Sequence, residues 1–309
     1  MSKPATRIKS ELLLASKNAT TGDILYTWRL TYPRIILSET LTHRMFSRST
    51  SSTRAIPTMT MIRAVWNDMF VPKYIGSKKK GMVAGPEITG IKRTLAQYAW
   101  KLAGYSACLF AYGLTKLGVS KQIAGRVLEP FSWVTQIVSA SAVNNFLHLR
   151  NHPDAEPHFA RLARLMQDQV EEATSEFAFM ECADLNTMEG CDLINMGTLQ
   201  ILEPYEWHIP FIKPSEKYGT EVAKRISAAR CARSSYTLLG SGRETTMSED
   251  LALCERLFGG NPKHLSPIEH QAQAMTTGEY YANFSGFKQF RLEIEGQNGG
   301  DKGREEWTQ

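Results

Sequence analysis

The sequence predicts an α+β fold, with a mixed sheet packed against long helices. Two observations carry that expectation. Ile24, Tyr26, Trp28, Leu30 and Tyr32 alternate with Leu25, Thr27, Arg29 and Thr31, the period of two that a strand between two environments requires. Phe159, Leu162, Leu165, Met166, Val170, Ala173 and Phe177 recur instead at helical spacing, which lines one face of a long helix. A second helical pattern runs from about Ile91 to Leu117.

In chain order, residues 1–22 are polar around a short apolar patch and read as a packed arm. Pro33 ends the strand that begins at Ile24, because its ring removes a donor and fixes φ. Ile36, Leu37, Leu41 and Met45 then follow helical spacing. Residues 57–90 read as irregular. Gly118 stops the 91–117 helix, and a new one starts near Ser120 and breaks at Glu129-Pro130. Phe131–Arg150 is mostly apolar and reads as a buried helix closed by an Asn and an Arg. Pro153 and Pro157 punctuate the chain before the 159–177 helix. Residues 181–219 are turn-rich. Helices are expected at 220–233 and 248–258, joined by a loop around Gly240-Ser241-Gly242. Glu279–Glu295 alternates loosely and reads as strands, and the Gly-rich tail from Gly296 as a frayed end. No repeat or linker divides the chain. The expectation is one domain over 1–309, with a 24–180 part and a 220–295 part.

Composition narrows the function. A chain of 309 residues, 42% hydrophobic and 22% charged, can bury a sizeable core. Lys and Arg exceed Asp and Glu by 36 − 31 = 5, which suits anionic ligands such as nucleotides. Lys78-Lys79-Lys80 is too short a run to suggest nucleic acid. Cys108, Cys182, Cys191, Cys231 and Cys254 form no C-x-x-C pair, so a reduced, cytoplasmic protein is expected. Met1–Ser10 lacks an apolar signal region, and no apolar run approaches the roughly 18 residues of a membrane span. No membrane partner is expected.

Three segments carry chemistry. Thr42-His43-Arg44-Met45-Phe46-Ser47-Arg48-Ser49-Thr50-Ser51-Ser52-Thr53-Arg54 places three Arg, a His and a run of hydroxyls together. Guanidinium forks, hydroxyls and loop N–H groups suit phosphate. The second is Arg126-Val127-Leu128-Glu129-Pro130, followed by the run from Ser139 to Arg150 that contains Asn145. In the plainer reading, Asn145 and Arg150 only finish a buried helix. The third is Cys231-Ala232-Arg233-Ser234-Ser235-Tyr236, then His264-Leu265-Ser266-Pro267-Ile268-Glu269-His270. Two His and a Glu suggest a metal, but the spacing is not H-E-x-x-H and Pro267 interrupts it, so no metal is expected.

These segments resemble the flavin-dependent thymidylate synthases, the ThyX family. Its signature reads Arg-His-Arg, seven residues, then Ser-x-Arg; His43, Arg44, Ser52 and Arg54 are in register, with Thr42 at the first Arg. Its second block, an Arg-x-x-Leu-Pro motif before Asn-Ala-Arg-Ser-Leu-x-Asn-Phe-Leu-x-Leu-Arg, is matched at Arg126, Asn145, Phe146, Leu147, Leu149 and Arg150. Ser139 and Ser141 replace an Asn and an Arg, and Glu129 is an insertion. Its Ser-Ala-Arg-Val-Ser-Tyr and His-x-Ser-Pro-Phe-Glu-His blocks resemble the third segment. In the family, that last block precedes the strand leading to Arg-His-Arg; here it lies near the end of the chain. The chain therefore resembles a circularly permuted ThyX-like fold, and a phage-type branch of the family carries a similar Thr-His-Arg-x-Phe-Ser-Arg segment.

The resemblance implies C5 methylation of a pyrimidine deoxynucleotide, dUMP to dTMP, with FAD, NADPH and methylenetetrahydrofolate, in a homotetramer. It implies nucleotide contacts from Glu39, Thr42, Thr50, Ser51, Ser52, Arg54, Arg126 and Arg150, with Arg150 also catalytic. FAD contacts are implied for Thr42, His43, Arg44, Thr50, Ser139, Ser141, Asn145, Ser235, His264 and Ser266. Thr50 stands where the family has Glu, and Glu39 where it has Gln. Two alternatives follow: a dCMP-specific or C5-hydroxymethylating enzyme, or a non-catalytic nucleotide-binding homologue. No Cys follows a Pro, so the Pro-Cys nucleophile of the flavin-independent class of thymidylate synthase is absent.

Overall fold

The computed structural model describes residues 7–81, 83–182, 198–238, 242–259 and 263–297. Residues 183–197 of the turn-rich region, Gly240-Ser241 and the tail from 298 lie outside them. The chain begins with β1 (Lys9–Asn18) and β2 (Ile24–Pro33), an antiparallel pair. Residues 9–18 are thus a strand, not an arm. The Leu12-Leu13-Leu14 run hid the alternation, and the register shifts between Leu12 and Leu14. Asn18 closes the hairpin, its Oδ1 accepting from the Thr20 and Thr21 amides at 2.9 and 3.1 Å.

After a 3₁₀ turn at Arg34–Ile36, α1 (Leu37–Thr40) makes only one turn, shorter than the expected 36–45 helix. Arg48 draws the chain back here, donating from Nη1 to the carbonyls of Thr40 and His43 at 3.1 and 3.2 Å. β3 (Ser47–Thr50) follows, then α2 (Thr58–Asp68) in a region read as irregular. Met61 and Val65 of α2 are buried against Ala107, Cys108 and Ala111 of α3 (Gly90–Lys116).

α4 (Lys121–Ala124) runs into a 3₁₀ turn, Gly125–Phe131, that contains Pro130. The expected buried helix at 131–150 is instead β4 (Trp133–Ala140) followed by α5 (Asn144–Arg150). Val134, Ile137 and Val138 favour the strand. α6 (Pro157–Cys182) is the long helix expected. Then come β5 (Leu199–Leu202), β6 (Trp207–His208), α7 (Thr220–Arg233) and α8 (Met247–Phe258). A 3₁₀ turn at Ser266–Glu269 leads to β7 (Ala272–Ala274), β8 (Tyr280–Tyr281), β9 (Phe284–Ser285) and β10 (Phe287–Gln289). The strand-like pattern gives way to α9 (Phe290–Gln297).

The main sheet has the order β3-β4-β2-β1-β5, and it is mixed because β5 runs parallel to β1. The period of two in β2 sorts its two faces. Tyr26, Trp28, Leu30 and Tyr32 pack with Val134 and Val138 against Phe159, Leu162, Met166 and Phe177 of α6. On the other face, Leu25 meets Ala272, Ala274, Phe284 and Phe287, and Ile137 meets Phe211 and Cys231. The sheet lies between α6 and a C-terminal layer. No helix among the described residues is long and apolar enough to cross a membrane.

That second face also carries a hydrogen-bond chain across all five strands. Gln200 Nε2 donates to Ser16 Oγ at 2.7 Å, and Ser16 Oγ lies 2.6 Å from His208 Nδ1. His208 Nε2 is 2.8 Å from Thr27 Oγ1, which is 2.6 Å from Ser139 Oγ. Ser139 Oγ is 2.9 Å from His270 Nδ1, and His270 Nε2 is 3.0 Å from Ser49 Oγ. Ser16, Thr27, Ser139, Ser49 and both His are buried. The donating Gln200 amide gives the chain one direction: each hydroxyl passes its hydrogen to an Nδ1 or the next oxygen, and each neutral ring donates from Nε2. Burial lowers the His208 and His270 pKa values to about 3. A second proton on either ring would face a hydroxyl hydrogen.

These rings titrate near 3 in the folded chain and near the ordinary 6.5 when unfolded. Between those values the unfolded chain holds more protons, so stability is full above about pH 6.5 and falls as pH drops. The thermal midpoint should decline steadily from pH 7 to pH 4. His270→Gln should cost about 1–3 kcal/mol at neutral pH and flatten that decline. Parallel melting curves against pH for parent and variant would refute the role given to the ring.

Candidate functional site

Two short elements hold the first cluster. Tyr32, at the end of β2, donates its hydroxyl to Gln136 Oε1 at 2.8 Å and lies 3.1 Å from Thr40 Oγ1. Gln136 Nε2 donates to Thr50 Oγ1 at 2.7 Å. α1 and β3 are thereby tied to β4, and the Thr42–Phe46 turn hangs between them. Thr42 donates its hydroxyl to the Glu39 carbonyl at 2.7 Å. The His43 ring sits among Phe46, Phe146 and Phe159, with centroids 5.8, 4.9 and 6.0 Å away.

α5 brings Arg150 onto that ring. Arg150 Nε donates to His43 Nε2 at 3.0 Å, so His43 accepts there and carries its hydrogen on Nδ1. Arg150 Nη1 stands 3.7 Å from Glu39 Oε2, and the guanidinium lies 4.9 Å over the Phe159 ring. Burial, then Arg150 and Arg48, push the His43 pKa down to about 4. Burial and nearby Glu156 raise the Glu39 pKa, with Arg150 opposing. Residues of the first and second sequence segments therefore share one site.

The far end of β3 builds a second cluster. The Ser51 amide donates to the Thr135 carbonyl at 3.0 Å, extending the ladder by one residue. Ser52 Oγ accepts from the Arg54 amide at 3.3 Å, which shapes the turn. Thr53 donates to Glu129 Oε1 at 2.8 Å. Glu129 also faces two guanidiniums, Arg34 at 3.8 Å and Arg126 at 3.9 Å. Arg126 and Arg54 are exposed, as a clamp for an outside ligand requires. An open groove of about 480 Å³ runs over Arg34, Leu37, Ser38, Leu41, Arg126 and Glu129.

Arg34 was not among the residues expected. Its Nη2 donates to the Ser51 carbonyl at 3.1 Å, but its Nε–H is buried with no acceptor among the described residues. Burial lowers its pKa, and Arg126 adds to that effect while Glu129 opposes it. Arg34 also lines a smaller cavity of about 200 Å³ with Ser51, Thr53, Ser132 and Trp133. The available signal was a lone cation next to the strand-ending Pro33, at the edge of an apolar run.

The remaining expected residues are dispersed. Ser139 lies inside the buried hydrogen-bond chain. Ser141 Oγ accepts from the Ser285 amide at 2.9 Å. Asn145 and Arg44 are exposed, as are His264 and Ser266. Arg44 has no ion-pair partner among the described residues. Ser235 Oγ accepts from the Thr237 amide at 3.0 Å. No hydrogen bond joins Ser235 to His43 or Arg44 among the described residues. The third segment does return to the first, since His270 bridges Ser139 and Ser49 across 221 residues of sequence.

No family model matches the chain, and neither does any curated protein. Among solved structures it is similar to the UMP/dUMP methylase PolB from Streptomyces cacaoi bound with 5-Br dUMP, at 15% identity and TM-score 0.42, over 53% of this chain and 90% of that one. The same methylase bound with 5-Br UMP aligns over 54% of this chain and 91% of that one, at 16% identity and TM-score 0.44.

His43 should titrate near 4 in a histidine-resolved NMR titration. Arg150→Gln removes one of the three causes, so the midpoint should rise yet stay below 6.5, because burial is the largest of them. An unchanged midpoint in the variant would show that Arg150 does not lie against the ring in solution.

Proposed function

We propose that this chain methylates C5 of a pyrimidine deoxynucleoside monophosphate, dUMP in the simplest case, as a flavin-dependent enzyme. The observation that carries this reading is Arg150, from the second sequence segment, seated on His43 of the first and facing Glu39 of α1. A half-buried guanidinium oriented by His43 and Phe159, with Glu39 only at 3.7 Å, keeps donors for a flat anionic ring.

In this reading Arg54 and Arg126 bind the phosphate, with Ser51, Ser52 and the turn amides adding hydrogen bonds. Glu129 holds Arg126 and Arg34 near one another through two loose contacts, until a dianion outcompetes it. Arg150 faces the pyrimidine. Its fixed charge stabilises the negative charge that builds on the ring as C5 becomes nucleophilic. His43 stays neutral near pH 7 and holds the guanidinium plane through its Nε2. Glu39, ionised, accepts from the edge of the base and so influences which base is taken.

Arg44, Asn145, His264 and Ser266, which the family resemblance assigns to FAD, are exposed polar groups, and an exposed guanidinium such as Arg44 suits a diphosphate. Bound FAD supplies hydride chemistry to a one-carbon unit from methylenetetrahydrofolate, with NADPH as reductant. Ser139 orients the sheet in this reading and does not touch the cofactor. The motif order of a circularly permuted fold stays part of the proposal. A dCMP-accepting variant of the activity is favoured by one feature, the acceptor-only carboxylate at Glu39.

The direct experiment incubates purified protein with FAD, methylenetetrahydrofolate, NADPH and either dUMP or dCMP, with products identified by mass. A flavin spectrum and a methylated or hydroxymethylated product are expected. A colourless protein that FAD cannot restore, with no product from either base, would sink the proposal. Arg54→Ala and Arg126→Ala should each weaken nucleotide binding by about 1.5–3 kcal/mol; unchanged affinity in both removes the phosphate assignment. Arg150→Lys should lower kcat far more than it raises KM, since Lys keeps the charge without the planar fork. Glu39→Gln should shift the dUMP-to-dCMP preference.

A further inference from the structure

The outer face of α3 is the largest feature that neither the fold nor the proposed chemistry uses. Ile91, Leu95, Tyr98, Leu102, Tyr105, Leu109 and Tyr112 alternate at spacings of four and three residues. They are 37–79% exposed. The opposite face is buried, with Ala107, Cys108 and Ala111 against Met61, Val65 and Leu128 and Gly104 against Met69 and Phe131. Apart from Tyr105, whose ring meets Trp66 of α2 at 4.8 Å, the outward stripe plays no part in the chain's own core. It is a sustained heptad seam of three repeats, about 31 Å long.

We propose that this seam pairs with α3 of a second copy, running antiparallel. The period selects the occupant, because a straight 4-3 stripe is filled by another helix with the same repeat and not by a strand or a loop. The side chains are self-complementary in one orientation. With the two helices antiparallel about a two-fold axis, Leu102 faces Tyr105 of the partner subunit, Tyr98 faces the partner's Leu109 and Leu95 faces the partner's Tyr112. Each of these layers then sets one Leu against one Tyr, and Ile91 at the end of the seam falls opposite the partner's Lys116. A parallel pair would stack Tyr on Tyr at three levels and bring Lys116, in line with the seam, against its own copy.

The flanks agree with the antiparallel arrangement. Ala99, Ser106 and Gly113 line one edge of the seam, and in that register Ala99 faces the partner's Ser106, so the backbones can approach closely. No Asp or Glu lies anywhere in α3. Lys101 lies over its own Tyr98 at 5.8 Å, and Lys116 over its own Tyr112 at 5.3 Å, both at the border of the stripe. Phe110 and Leu117, also exposed, widen its C-terminal half. Side chains of this size and exposure offer on the order of 800 Å² per copy, the share one partner gives a standard stable interface. The pairing is isologous, as a closed two-fold requires, and it does not depend on the proposed function.

Sedimentation velocity of the full chain, from low micromolar to near-millimolar concentration, tests the assembly. The expected mass is two chains or a multiple of two. Leu102→Glu, at the centre of the seam, should halve it while circular dichroism stays unchanged. Leu102→Ala, which keeps helix propensity, should raise the dissociation constant at least tenfold. Leu95→Glu should also dissociate the pair, and adding Tyr112→Lys should restore it, because these positions face each other only in the antiparallel register. A parent that is monomeric throughout overturns the proposal, and so does assembly that survives both Glu variants. Binding of a monomeric parent to anionic vesicles, lost in Leu102→Glu, would overturn it too and give the face to a lipid surface. Failure of the double variant to reassociate removes the antiparallel arrangement.

Discussion

The buried hydrogen-bond chain from Gln200 to Ser49 is the constraint on which the rest of this structure depends. A sheet face that buries Ser16, Thr27, Ser139 and Ser49 is unstable unless each hydroxyl finds a partner, since an orphaned one costs about 1–3 kcal/mol. His208 and His270 provide those partners, and both come from the C-terminal layer. That layer is therefore held to the sheet by directional bonds as well as by the apolar contacts of Leu25 and Ile137. Asn18 adds a tie at the other end, donating from Nδ2 to the carbonyls of Met275 and Gly286 at 2.8 and 2.9 Å. Gly286 has φ +69°, and a Cβ there would come within 2.5 Å of Asp23, so the tail can approach the hairpin only as glycine.

The candidate site inherits its geometry from the last link of that chain. His270 fixes Ser49 in the middle of β3, and β3 has a different cluster at each end. At one end, His43 meets Arg150 and Glu39. At the other, the Ser51–Arg54 turn meets Glu129, Arg34 and Arg126. Four residues of strand rise about 13 Å, so the two clusters are held apart by a rigid spacer and not by a loop. A ligand that engages both must have an anionic end and a separate polar end. The nucleoside monophosphate of the proposed function meets that requirement.

Some of this was legible in the sequence. β2 and α6 were, because their apolar residues keep a single period over ten residues or more. β1 was not, because three consecutive Leu residues mask its alternation at the bulge. β4 was mistaken for helix because its apolar run continues into α5 without a turn signal strong enough to divide them. The Arg/Ser segment and Arg150 could be singled out by residue type, but their mutual contact could not. The hydrogen-bond chain was invisible: each member is a lone Ser, Thr, Gln or His, and only strand order places them in line. Arg34 was hidden for the same reason, since burial and not sequence spacing makes its guanidinium notable.

Thr42 and Ser141 show how charge is redistributed. At Thr42 a neutral hydroxyl bonds to the carbonyl three residues earlier, and at Ser141 another accepts the Ser285 amide. Both replacements consume their own polarity locally, so neither contributes to an anion's field. Guanidiniums remain in and beside the Arg/Ser segment: Arg44, Arg48 and Arg54 within it, and Arg34 and Arg126 next to it. Arg48 is spent on the carbonyls that close the turn, and Glu269 lies near enough to favour its charge. That leaves Arg34, Arg54 and Arg126 at one end of β3 and Arg44 at the other, Arg34 largely buried and the other three exposed. An anion bound at this surface therefore meets its strongest field toward the Arg34 and Arg126 end of β3, where a carboxylate, Glu129, already stands between the two charges.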